Sequence, residues 1–138
     1  MSPAPDPRTT RGRVGVAAED VACRFLEALG WQVLARNLVV GRDEIDLVCL
    51  DDGALVCVEV RGHATSRFGA AEESVDGRKL ARNHRAAMTL IHSGWPRQQG
   101  LASRVGWRVD VVAVELRPSL GRGAGGPSVR HIRGVTLD

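Results

Sequence analysis

The sequence has no run approaching the roughly 18 apolar residues of a membrane-crossing helix, and its opening, Met1 to Arg13, lacks the apolar stretch of a secretory signal. These absences predict a cytoplasmic protein without a membrane partner. C-x-x-C spacing is missing too: the three cysteines, Cys23, Cys49 and Cys57, are odd in number and lie in apolar contexts, which argues against a disulfide framework or a zinc site. Buried free thiols are expected. Lysine is nearly absent, Lys79 standing alone among 19 basic residues that are otherwise arginine. Internal repeats and a second domain are also lacking.

What is present is ordinary material for one soluble domain, 138 residues with 43% hydrophobic and 25% charged content. The net charge of +3 points weakly to a polyanionic partner such as nucleic acid, because a positive field attracts phosphates without saying where they bind. Proline and arginine make residues 1–13 read as a flexible basic arm, ahead of a folded domain at 14–116. Residues 117–128 form a Gly/Pro linker, and 129–138 an edge strand or tail.

Helical periodicity runs from Val16 to Leu29 through Val21, Ala22, Phe25 and Leu26, with Gly30 where a helix C-terminal glycine belongs. Three strands follow in "WQVLARNLVV", "DEIDLVCL" and "ALVCVEVR". A second helix, about Val75 to His92, carries the apolar stripe Leu80, Ala87, Met88 and Ile91 with His84 among them, and Gly94 and Pro96 stop it. A fourth strand spans 107–116. The order α-β-β-β-α-β defines an α/β class, a central mixed sheet flanked by helices, whose helical crossover permits parallel pairing of the third and fourth strands.

Two carboxylates interrupt the apolar strands. If Asp52 and Gly53 are the central residues of a type I′ turn, Asp46 lies directly opposite Glu59. Alternation then places Glu44, Asp46, Val48, Leu50, Leu55, Cys57, Glu59 and Arg61 on one face, and Ile45, Leu47, Cys49, Val56, Val58 and Val60 on the other. Like charges across a strand pair cost about 0.2–1 kcal/mol on an exposed sheet and more when desolvated, so something positive must compensate. A hard divalent cation, Mg²⁺ or Mn²⁺, would do so, and so would Arg61 on the same face. Glu19, at the inner margin of the first helix, is a third oxygen donor if that helix packs over the acidic face. On the second helix Arg78, Arg82 and Arg85 recur at helical spacing as a basic stripe, a phosphate rail or a solvated face, with Arg67 in the preceding loop. Asp110 shares a strand face with Arg108 and reads as an ion pair. His63 reads as a loop residue, and His84 as a core or boundary histidine.

Together "AEDVACRFLEALGW", "DEIDLV", "VCVEVR" and "RVDVVAV" resemble the YraN-like family of uncharacterised bacterial proteins, over about residues 14–115. The family phrases G-E-x-x-A, G-E-I-D-L and V-E-V-K are matched at Ala18 to Ala22, Asp43 to Leu47 and Val58 to Arg61. That family is in turn similar to archaeal Holliday-junction resolvases and to PD-(D/E)xK nucleases of the restriction-endonuclease-like fold. The resemblance implies metal ligands at Glu19, Asp46, Glu59 and the Val60 carbonyl, catalytic roles for Asp46, Glu59 and Arg61, and substrate binding by Lys79. The implied activity is hydrolysis of DNA phosphodiesters, branched or single-stranded substrates included, with a homodimer if a duplex is cut symmetrically. The sequence departs from the pattern twice: Arg61 stands in place of lysine and cannot act as a general base, and Asp43 replaces glycine. The first departure keeps a second reading open, a catalytically inactive nucleic-acid-binding protein of the same fold. In a third, an interaction domain, the acids only pair with arginine.

Overall fold

The computed structural model describes residues 10–63, 77–102, 105–116 and 126–135, with the backbone alone at 10, 11, 13 and 77–80. Helix α1 spans Thr10–Ala28, starting ahead of the expected Val16 and taking in residues 10–13 of the segment read as an arm. Ala18, Ala22 and Leu26 recur one helical turn apart and are fully buried. The helix ends as expected at Gly30, whose φ of 91° suits glycine. Gly30 N–H donates to the Glu27 carbonyl at 2.9 Å and Trp31 N–H to the Leu26 carbonyl at 3.2 Å, the paired bonds of a Schellman motif.

The strands β1 (Gln32–Val40), β2 (Asp43–Asp51) and β3 (Ala54–His63) form an antiparallel meander. Asp52 at φ 47° and Gly53 at φ 86° supply the left-handed pair that a type I′ hairpin turn requires. Helix α2 (Gly77–Ile91) and the short helix α3 (Trp95–Gln98) lead to β4 (Trp107–Glu115), and β5 (Ser128–Ile132) closes the described chain. The sheet order is β1-β2-β3-β4-β5, with β3 and β4 parallel and the other neighbours antiparallel. This is the expected restriction-endonuclease-like arrangement, α-β-β-β-α-β with a five-stranded sheet flanked by helices. Pro96 sits in the first turn of α3, where its missing N–H is tolerated. His63 closes β3 and is not a loop residue.

Each sheet face carries its own core. On one, Ala18, Ala22 and Leu26 of α1 pack on Leu47, Cys49, Val56, Val58, Val112 and Val114. On the other, Ala86, Ala87 and Leu90 of α2 pack on Val48, Leu55, Cys57 and Val109. A fully buried Val or Leu here contributes about 1.5–3 kcal/mol. Three expectations need correction. Helix α1 covers the apolar face and does not lie over the acidic one, because its small inner residues fit the Val and Leu surface. Met88 is 52% exposed, the helix having rotated to bury Ala86 and Leu90 instead. Ile45 leaves the face of Leu47 and joins the α2-side core. Leu47 and Ile45 thus face opposite cores, and the change of face falls at Asp46, with Asn37 across from it between the pairs Arg36↔Leu47 and Leu38↔Ile45. Asn37 has φ 51°, a left-handed residue that twists the end of the hairpin.

Candidate active site

The β2–β3 ladder runs from Asp51↔Ala54 to Leu47↔Val58, the register that the Asp-Gly turn dictates, so Asp46 and Glu59 are the next facing residues. There the backbone ladder stops. Val60 N–H donates to Asp46 Oδ2 at 2.8 Å. Burial holds the Asp46 carboxyl well above the usual range, the Glu59 carboxylate raises it further, and the Val60 N–H opposes both.

Glu19 reaches this region because α1 comes unusually close to β3. A Cβ built on Gly62 would fall 2.5 Å from the Ala18 Cβ, so only glycine permits the approach that carries the next residue, Glu19, to the carboxylate pair. Glu19 is 7% exposed. Asn37 Nδ2 donates to its Oε1 at 3.0 Å, and Arg36 Nη2 stands 3.7 Å from the same oxygen while bonding Asp20 at 2.8 Å. Burial raises the Glu19 carboxyl above its ordinary value, against the lowering effect of Asn37 and Arg36. Glu19 also raises Asp46, as the facing Glu59 does.

The basic residues have separate fates. Arg61 Nη2 lies 3.3 Å from Glu59 Oε1, as the hairpin face predicted. Arg85 is held by Asp43 through two bonds, Nε to Oδ2 at 3.1 Å and Nη2 to Oδ1 at 3.0 Å, so the acid that replaces the family's glycine occupies one member of the basic stripe. Asp43, Arg85, Arg42 and Thr89 line an open groove between the β1–β2 turn and α2. Arg82 is exposed on α2. Arg78 and Lys79 belong to the first turn of α2 with side chains outside the described set, and Arg67 lies outside the described residues.

Two residues near the acids were not singled out from sequence, Asn37 and Asn83. Asn83 of α2 lines a small cavity with Glu59, Ile45, Cys57, Val58 and Val109, large enough for about one water. Among the described residues the buried side-chain polar atoms without a hydrogen-bond partner are Asn37 Oδ1, Arg61 Nε, Arg61 Nη2 and Asn83 Nδ2. All belong to residues that touch Glu19 or Glu59 or share a cavity with Glu59. A polar amide inside an otherwise apolar periodic stripe was the available signal for Asn83.

The donor set is one of hard oxygens, which suits Mg²⁺ or Mn²⁺ and not a soft metal. Among the described residues no group of three or more His, Cys, Asp or Glu side chains is arranged to hold an ion outright. That is compatible with Mg²⁺, which usually takes one or two carboxylates and keeps several waters. The unpartnered polar atoms around the acids match the same chemistry, since water or phosphate oxygens would satisfy them.

Asp110 is a different kind of carboxylate. Fully buried, it accepts from Arg108 Nε at 3.0 Å, contacts His131 Nε2 at 2.8 Å and accepts from Gly134 N–H at 2.9 Å, while Arg108 also bonds Asp51 at 2.9 Å. The ion pair read from sequence is therefore one part of a node tying β5 to the sheet. His131 sits edge-on to Phe25 and Trp31. His84 meets the edge of Trp107, a boundary position as expected.

Residues 18–114 match the family described as "Uncharacterised protein family UPF0102". The chain belongs to that family. Relatives include a UPF0102 protein of Arthrobacter sp. (strain FB24), 40% identical over 122 residues that make up 88% of this chain and 94% of the relative. One from Halorhodospira halophila is 44% identical over 113 residues, 79% of this chain and 85% of the relative. One from Burkholderia pseudomallei (strain 1106a) is 47% identical over 103 residues, 74% of this chain and 67% of the relative. The matched span takes in Glu19, Asp46, Glu59 and Arg61, so the acidic cluster lies inside the part that defines the family. Among the described residues no helix is long and apolar enough to cross a membrane.

Proposed function

We propose that this UPF0102 member is a metal-dependent nuclease-like protein that hydrolyses DNA phosphodiesters, single-stranded or branched forms included. The observation that carries the reading is the half-buried Asp46 and Glu59, facing each other across β2 and β3, with buried Glu19 acting on Asp46, like charges whose coexistence calls for a cation. Asp46 and Glu59 would hold the ion, with Glu19 at its edge. When bound, Mg²⁺ or Mn²⁺ polarises a phosphoryl oxygen and lowers the pKa of a water. The chain's own residues orient and neutralise. Val60 N–H fixes one Asp46 oxygen. Arg61 donates to a phosphate oxygen or a water through its Nε, which has no hydrogen-bond partner, and as arginine takes no proton from either. Arg82 and, once released from Asp43, Arg85 neutralise the flanking strand.

A specific contact favours the alternative of nucleic-acid binding without cleavage: Arg61 already stands 3.3 Å from Glu59 and offsets its charge without a metal. Calorimetric titration with Mn²⁺ and cleavage of single-stranded and four-way-junction DNA, on wild type and Asp46→Ala, separate the two. The nuclease reading expects Mn²⁺ binding and cutting that both vanish in Asp46→Ala while thermal unfolding stays cooperative. Cutting that survives the substitution defeats it, and salt-sensitive binding without turnover selects the alternative.

A further inference from the structure

We propose that Asn37 is a positioning residue for the cation site, fixing Glu19 through its amide N–H and offering its own carbonyl oxygen to what binds there. The inference rests on the metal-dependent reading above. Asn37 lies on β1 between the paired positions Arg36↔Leu47 and Leu38↔Ile45, which makes Asp46 its neighbour across the strands. Its φ of 51° puts it in the left-handed region, where asparagine is tolerated far better than β-branched or bulky residues. That conformation coincides with the twist that sends Ile45 into the α2-side core.

The side chain then does two things. Nδ2 donates to Glu19 Oε1 at 3.0 Å, shorter than the 3.7 Å from Arg36 to the same oxygen. Oδ1 is buried without a partner. A buried acceptor left open beside a carboxylate cluster lacks a donor, and the O–H of a water carried in by a hard cation is the donor that chemistry would supply. Outer groups that orient ligating carboxylates in this way change metal affinity without touching the ion.

A purely backbone role is the competing explanation, and glycine separates the two. Asn37→Gly accepts the left-handed backbone and removes only the amide. The expected result is a Mn²⁺ dissociation constant raised about 10–100-fold, with thermal unfolding still cooperative. In a Glu19→Gln background the same change should cost less affinity than in wild type, because the part of its effect that passes through Glu19 is already lost. Unchanged Mn²⁺ affinity in Asn37→Gly, additive losses in the double variant, or loss of cooperative unfolding in Asn37→Gly each overturn the proposal. A wild type that binds no Mn²⁺ overturns it together with the metal-dependent reading, whereas the other outcomes leave that reading standing.

Discussion

Replacing Asp46 by asparagine should make the metal-free protein more stable while abolishing its response to divalent cations. The exchange is nearly isosteric: Asn Oδ1 still accepts the Val60 N–H that now bonds Asp46 at 2.8 Å, and Asn Nδ2 can donate to Glu59 as a protonated Asp46 would. What disappears is the charge. Burial and the facing Glu59 hold the Asp46 carboxyl above its unfolded value, so ionisation burdens the folded state more than the unfolded chain. The burden is absent below the unfolded pKa of about 3.9, grows as pH rises from there to the folded-state pKa, and is constant above it. A cross-strand like-charge pair costs about 0.2–1 kcal/mol when exposed and more when desolvated, so relief of about 1 kcal/mol at neutral pH is expected. For a chain of this size that is a rise of about 3–5 °C in Tm. Thermal melts in a chelator at pH 7.5 and near pH 4 provide the assay, with the advantage of Asp46→Asn shrinking at the lower pH. Millimolar Mn²⁺ should reverse the order, because only the wild type gains stability by binding. An Asp46→Asn variant at least 1 kcal/mol less stable than wild type in chelator at pH 7.5 would show that Arg61 already neutralises the pair, and would refute the reasoning.

Other perturbations test the supports of the site. Gly62→Ala places a methyl against Ala18, so α1 must move; about 1–3 kcal/mol of stability should be lost in urea melts, and Mn²⁺ affinity should fall as Glu19 is displaced. Asp110→Ala strips the partners from buried His131 and, in part, from Arg108, for an expected loss of about 3 kcal/mol, with hydrogen exchange accelerating first in β5. Asp43→Asn frees Arg85 from its two-bond clamp, and fluorescence anisotropy with a single-stranded oligonucleotide should show tighter binding and a salt dependence steeper by about one phosphate contact. Identical salt slopes for Asp43→Asn and wild type would remove Arg85 from the binding surface.

The strands and their pairing were legible because strand alternation and turn chemistry are local. "DEIDLVCLDDGALVCVEVR" carries its own register: Asp52 and Gly53 admit the left-handed turn, and counting outward from it places Asp46 beside Glu59. The Gly30 stop of α1 and the parallel crossover to β4 were legible for the same reason. Helix α2 was less so. Its stripe holds several small residues, and periodicity alone does not choose between Met88 and Ala86 as the one that faces inward.

Asp46 opposite Glu59, with Arg61 two residues on, follows from the sequence itself, because a hairpin's pairing depends on a few neighbouring residues. Their meeting with Glu19 does not. It depends on Ala18 packing into the space left by Gly62, a contact between elements far apart in the chain. The left-handed Asn37, the transfer of Ile45 to the other core and the capture of Arg85 by Asp43 are likewise settled only when helices and strands compete for the same volume and charge. Local rules set which side chains share a strand, and packing sets which strands and helices bring their side chains together.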